Sequence, residues 1–194
     1  MKRGLLLVLL LCGTLLVVAD ERGQNRLERI SRYYSAMGNY SISFVLRGGG
    51  AEQRGELMVD GNNSYMRVAD TEVYVSDSIR YEVRKSAKEV VIDRADAYEK
   101  ELLNPLSGFS SVSADYEIVE KMAEGRVMVL LTPKKSGEVV SIVTAIDGES
   151  ISKVQYGAGE SLVEIEVVRC RKGANTLPKF AKEAYKGFEF IDFR

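Results

Sequence analysis

The stretch NYSISFVLRGGGAEQRGELMVDGNNSYMRV, residues 39–68, decides the fold. Tyr40, Ile42, Phe44 and Leu46 alternate with Ser41 and Ser43, the period of two of a half-buried strand. Arg47-Gly48-Gly49-Gly50 makes a flexible turn, and Gly55–Val59 and Ser64–Val68 flank Asp60-Gly61. That dipeptide predicts a tight hairpin, because both of its residues tolerate positive φ.

Working outward towards the C-terminus, the same grammar repeats. Short strands are predicted around Val73–Val75, Ile79–Val83 and Val90–Ile92. After one break come Tyr116–Met122, Val127–Leu131, Val139–Ile146, Ile151–Tyr156 and Leu162–Cys170. Glu124-Gly125 and Asp147-Gly148 supply turns between them. The break, Ala95–Leu106 with Tyr98, Leu102 and Leu103, reads as a short helix stopped near Pro105 and Gly108. About eleven strands in hairpin sequence imply an antiparallel sheet, and a sheet that wide curls, splits or closes. Val127–Leu131 and Val139–Ile146 are apolar at both parities, as expected of strands buried on both faces. A barrel wall covered inside by helices fits this pattern, and so does a side-chain-filled two-sheet sandwich.

Towards the N-terminus, the segment from Asp20 to Met37 carries Leu27, Ile30, Tyr33, Tyr34 and Met37 at spacings of three and four. These form one apolar stripe of a helix, with Arg22, Arg26, Glu28 and Arg29 away from it. Gly38-Asn39 ends it. Before it, Lys2 and Arg3 precede an apolar run from Gly4 to Ala19, and Val17-Val18-Ala19 meets Asp20-Glu21. This is the layout of a cleavable export signal over residues 1–19, too short for the roughly 20 residues of a membrane span. A retained N-terminal anchor is the alternative. Cys12 follows Leu11, where a lipid-attachment site needs a small residue. Residues 20–194, about 175 in number, then form one exported domain.

Composition narrows the function. The chain has no histidine, so Ser-His-Asp and Cys-His catalysis and the common zinc sites are excluded. Glu99-Lys100-Glu101 and Lys134-Lys135 read as solvated charges, and Asp93-Arg94-Ala95-Asp96 lacks the oxygen spacing of a calcium loop. No glycine-rich phosphate loop opens a helix. Hydrolysis by a Ser-Lys or carboxylate pair stays open but has no local signature, and the expectation is a protein without catalytic activity, cofactor or metal. Without Lys2 and Arg3 the 25 remaining basic residues face 28 acidic ones, which argues against nucleic acid as a partner. Cys170 is then the sole thiol, expected to pack rather than to form a disulfide.

Several segments, in order, resemble the LolA-like periplasmic carriers of outer-membrane lipoproteins. They are the amphipathic helix leading into Tyr40–Phe44, Gly55–Val59 with the hairpin into Tyr65–Arg67, Val75-Ser76-Asp77, Asn104-Pro105-Leu106, Val129–Lys134 and the terminal Phe188–Arg194. The likeness spans nearly all of residues 20–194. Where many relatives carry Arg-Pro after the second strand this chain has Asp60-Gly61-Asn62, so that arginine's role is carried to no residue here. Ser78 stands where many relatives have glycine, Tyr81 is the nearest aromatic to their tryptophan strand, and tryptophan is absent.

The resemblance implies an unclosed antiparallel β-barrel in which the N-terminal helix and the short internal helix cover an apolar cavity for acyl chains. It implies a monomeric periplasmic carrier that takes acylated lipoproteins from an inner-membrane ABC transporter complex to an outer-membrane acceptor. A lipid-sensing or structural interaction module on the same barrel is the alternative. The candidate lipid-binding residues are Tyr40, Ile42 and Phe44 on one strand face, Leu57 and Val59 on another, Tyr65 at an aromatic position of the family, and Met122 and Met128 as adaptable lining. Ordinary core packing is the competing role for each. Met66 and Val68 point away from Tyr65, and the sequence leaves open which face is inward. Arg47 and Arg67 are candidates to meet an anionic headgroup, against the simpler role of solvated charges.

Overall fold

The computed structural model describes residues 21–95, 112–173 and 176–194. The expected export signal and most of the expected Ala95–Leu106 helix lie outside the described residues. Helix α1, Glu21–Met37, buries Gly23, Leu27, Ile30 and Tyr34. It stops at Gly38, whose φ of 75° suits a residue without Cβ and whose N–H donates to the Ser35 carbonyl at 3.1 Å. No described helix is long and apolar enough to cross a membrane.

Two meanders follow. The first is β1 (Asn39–Gly48), β2 (Ala51–Asp60), β3 (Asn63–Val68), β4 (Thr71–Ser76), β5 (Ile79–Arg84) and β6 (Glu89–Arg94). After a four-residue helix α2 (Val112–Asp115) comes the second: β7 (Tyr116–Ala123), β8 (Arg126–Pro133), β9 (Val140–Thr144), β10 (Ile151–Tyr156) and β11 (Val163–Lys172). Antiparallel pairing of β1 with β11, from Tyr40↔Lys172 to Arg47↔Glu164 with a bulge between Ser43 and Phe44, welds them into one sheet. A strand not foreseen from the alternation, β12 (Glu189–Asp192), adds parallel to β6. The twelve strands run β12-β6-β5-β4-β3-β2-β1-β11-β10-β9-β8-β7, an unclosed, mainly antiparallel sheet with β12 and β7 at its edges.

The hairpin between β2 and β3 turns one residue later than the dipeptide suggested. Asp60 still pairs with Asn63, and the two-residue loop is Gly61-Asn62 with φ of 57° at Gly61. The sheet curls, because side chains from strands as far apart as β2 and β7 meet around α1. Leu27, Ile30 and Tyr34 form one cluster with Tyr40, Ile42 and Phe44 of β1, Leu57 and Val59 of β2, and Ile118, Val129, Leu131, Val140 and Ile142 from β7–β9. The convex face has its own cluster of Met58, Tyr65, Tyr74, Val83, Val90 and Tyr185.

Candidate functional site

The concave face is built in rows set by strand register. Cys170, Ile42, Leu57, Met66 and Val73 stand in one row across β11, β1, β2, β3 and β4. The next row runs through Val167, Phe44, Gly55 and Val68. Its glycine makes room for an aromatic ring: a Cβ at Gly55 would lie 2.2 Å from Cζ of Phe44. The Phe44 ring therefore lies across the bare glycine backbone and seals the weak point of β2.

Helix α1 is pinned over the β7–β9 end of this face. Gly23 allows the close approach, since a Cβ there would lie 2.8 Å from Cγ2 of Ile118. The Arg26 guanidinium donates to Glu120 at 3.0 Å and to the Gly148 carbonyl at 2.8 Å, both in partly buried surroundings. The Tyr34 hydroxyl accepts the Ile151 N–H at 3.1 Å, and its ring lies 5.1 Å from that of Tyr40. Burial pushes the Tyr34 and Tyr40 hydroxyls up, and Tyr156 up to about 12, as expected where a phenolate has no water to solvate it.

Beyond the α1-packed cluster the concave face stays apolar, half-buried at Leu46, Met66, Val68, Tyr156, Ile165 and Val167 and buried again at Val73 and Val75, which pack with Ala95. At β5 its character changes. Arg80, Glu82 and Arg84 share the parity of Val73 and Val75 through the β4–β5 register, and Glu82 pairs with both arginines. Burial alone would raise the Glu82 carboxyl, but the arginine hydrogen bonds outweigh it and hold it below the usual range.

The convex face is closed differently. Phe180 stacks between Tyr81, at 4.1 Å between ring centroids, and Tyr185, at 5.5 Å. Beneath them the buried Glu72 accepts from Tyr185 at 2.8 Å, from Tyr65 and Tyr74 at 3.2 Å each, and from Lys85 at 2.8 Å. Burial works to raise this carboxyl; the Lys85 and Tyr185 hydrogen bonds lead the effects that leave it lowered instead.

Of the eight residues picked from the sequence, Tyr40, Ile42, Phe44, Leu57 and Val59 come together on the concave face. Tyr65 lies on the convex face under the C-terminal segment, so the inward residues of β3 are Met66 and Val68. Met122 is 68% exposed near the β7 edge, and Met128 is half-buried outside the buried clusters. Arg47 is tied to Glu52, Glu164 and Glu166 at 2.9, 3.1 and 2.6 Å, and Arg67 is an exposed charge 3.9 Å from Glu56. Sequence reasoning missed Ile165, Val167, Val154 and Tyr156, whose alternation was legible but whose face was not. Cys170 packs half-buried against the same cluster, its thiol pushed up by burial.

The fold and face together define an open, curled sheet whose concave face is partly filled by α1 and otherwise lined by apolar side chains. No family model and no curated protein matches the sequence. Among solved structures, the chain is similar to an uncharacterized conserved protein from Thermus thermophilus, with a TM-score of 0.59 and 9% identity over 89% of this chain and 99% of that one. This likeness is one of fold. Weaker likenesses are to the Pseudomonas aeruginosa MucA/MucB complex (TM-score 0.48, 17% identity, 86% of this chain) and to LprF from Mycobacterium bovis (TM-score 0.43, 12% identity, 82% of this chain and 97% of that one). The chain spans 61% of the length of the MucA/MucB chain it matches.

Proposed function

We propose that this protein is a periplasmic carrier that shelters the acyl chains of lipoproteins on its concave face and moves them from the inner to the outer membrane. The observation that carries this reading is the apolar surface of the concave face, which extends past the α1-packed cluster into the half-buried rows of Leu46, Met66, Val68, Ile165 and Val167. Each methylene removed from water there contributes roughly 0.8 kcal/mol, so an acylated protein crosses an aqueous compartment only with its chains covered. Met66 adapts to different chains because a thioether is unbranched and polarizable. An export-type N-terminus and the ordered segments resembling the LolA-like carriers support the periplasmic setting, an ABC transporter complex as donor and an outer-membrane acceptor. The reading assigns no chemical step to the carrier.

Native mass spectrometry of the protein mixed with a triacylated lipoprotein tests it. A one-to-one complex is expected, lost in Val68→Glu on the concave face and retained in Arg67→Glu, its outward neighbour. Absence of any complex with the lipoprotein would sink the reading.

A further inference from the structure

Between the C-terminal half of α1 and the end of β11 lies a cleft of about 690 Å³ lined by Arg29, Arg32, Tyr33, Ala36, Met37, Glu149, Cys170 and Lys172. Its two halves differ in chemistry. Tyr33, Met37 and Cys170 are apolar side chains packed against the concave cluster, so the floor is continuous with the proposed acyl-binding face. The rim carries three cations against one carboxylate. Glu149 is engaged by Arg29 at 2.8 Å. Lys172 reaches the Ala36 carbonyl at 3.3 Å, and the Arg32 Nε makes a long 3.4 Å bond to the Glu28 carbonyl. Among the described residues, neither Arg32 nor Lys172 is paired with a carboxylate. The negative end of the α1 dipole, equivalent to about half a charge, faces the same space. It is capped by Lys172 and outweighed by the rim.

We infer that this cleft binds the anionic phosphodiester headgroup of a membrane lipid, with its glycerol and first methylenes lying on Tyr33, Met37 and Cys170. The assignment rests on the acyl-binding reading above and adds a second ligand for the same face, a membrane phospholipid, with the place of its head. A planar guanidinium on one side and an ammonium on the other suit the oxygens of a phosphodiester. A zwitterionic headgroup carries its own cation and gains little from them. Arg47 cannot do this work, since three glutamates already hold it.

The test uses titrations at low ionic strength, where such charges are least screened. Dihexanoyl phosphatidylglycerol, dihexanoyl phosphatidylcholine and glycerol phosphate are each added to the full chain below micelle formation. Binding is followed calorimetrically and by the alkylation rate of Cys170, read by peptide mapping. The expected result is at least tenfold tighter binding of the phosphatidylglycerol, with Cys170 protected from alkylation. The double variant Arg32→Gln, Lys172→Gln should fall to the phosphatidylcholine level while keeping the parent's circular dichroism and cooperative melt, both side chains being exposed. Equal binding of the two lipids, or failure of both to bind, overturns the headgroup site, while the carrier reading stands or falls separately on the complex with the triacylated lipoprotein. Glycerol phosphate binding as tightly as the lipid overturns the assignment to a lipid. Unchanged affinity in the double variant overturns the assignment to this cleft.

Discussion

Ser78 occupies a backbone position that the sequence around it does not favour. The β4–β5 loop is Asp77-Ser78, with φ of 56° and 103°, and the second value belongs to a region that side chains rarely enter. Replacing Ser78 by glycine removes that strain and adds some unfolded-state entropy, for a net gain of about 1 kcal/mol. The expected outcome is a melting temperature higher by roughly 2–4 °C in a thermal scan. Glu72 gives a pH-dependent counterpart. Its carboxyl is held below the ordinary value, so the unfolded chain takes up its proton first as pH falls. Its contribution is therefore complete above about pH 4.3, the ordinary glutamate value, and is lost as pH falls through the lowered folded value. Urea melts should find Glu72→Gln destabilised at pH 7, with the gap to the parent closing towards pH 3. A gap that does not depend on pH would show that packing, not charge, is what Glu72 supplies.

Among elements, β12 is the least conspicuous in the sequence and the most exposed to test. It has four residues, pairs parallel with β6 from Glu189↔Glu89 to Asp192↔Ile92, and is extended by a 2.8 Å bond from the Phe193 N–H to the Ile92 carbonyl. Without it, β6 becomes a six-residue edge with unsatisfied N–H and C=O groups. Deleting residues 189–194 should lower the melting temperature and produce concentration-dependent dimers in sedimentation velocity, whereas the parent sediments independently of concentration. The strand escaped the alternation because it is short and isolated from the meander. Its signal was compositional: Phe180, Tyr185, Phe188 and Phe190 crowd an otherwise polar tail. By contrast, α1 was legible from Leu27, Ile30 and Tyr34, and all three are fully buried.

For the whole molecule, the curled sheet places two apolar faces back to back and covers them with different ends of the chain. The convex face is filled by the chain's own aromatic tail and the concave face is filled partly by α1. A ligand that binds only the folded state stabilises it by RT ln(1 + [L]/Kd), about 2.7 kcal/mol at a hundredfold excess over Kd. On the carrier reading, the melting temperature should rise with the concentration of acylated peptide by roughly 5–10 °C at that excess. In Val68→Glu it should stay flat. A flat response in the parent would leave the concave face as ordinary core.

The sequence by itself determined eleven of the twelve strands, their hairpin succession with one break and the amphipathic helix before them, because periodicity and turn chemistry are local. It also excluded histidine-based chemistry outright. It did not determine which side of each strand faces inward. Leu57, Met58 and Val59 are all buried, so both parities of β2 read alike. Tyr65 and Met66 are neighbours on opposite faces, and both faces are covered. Only the tertiary structure decided between them, through the β1–β11 pairing that sets the curl and the docking of Phe180 and Tyr185 on the far side. Those contacts join residues about a hundred or more positions apart, where no local pattern carries information.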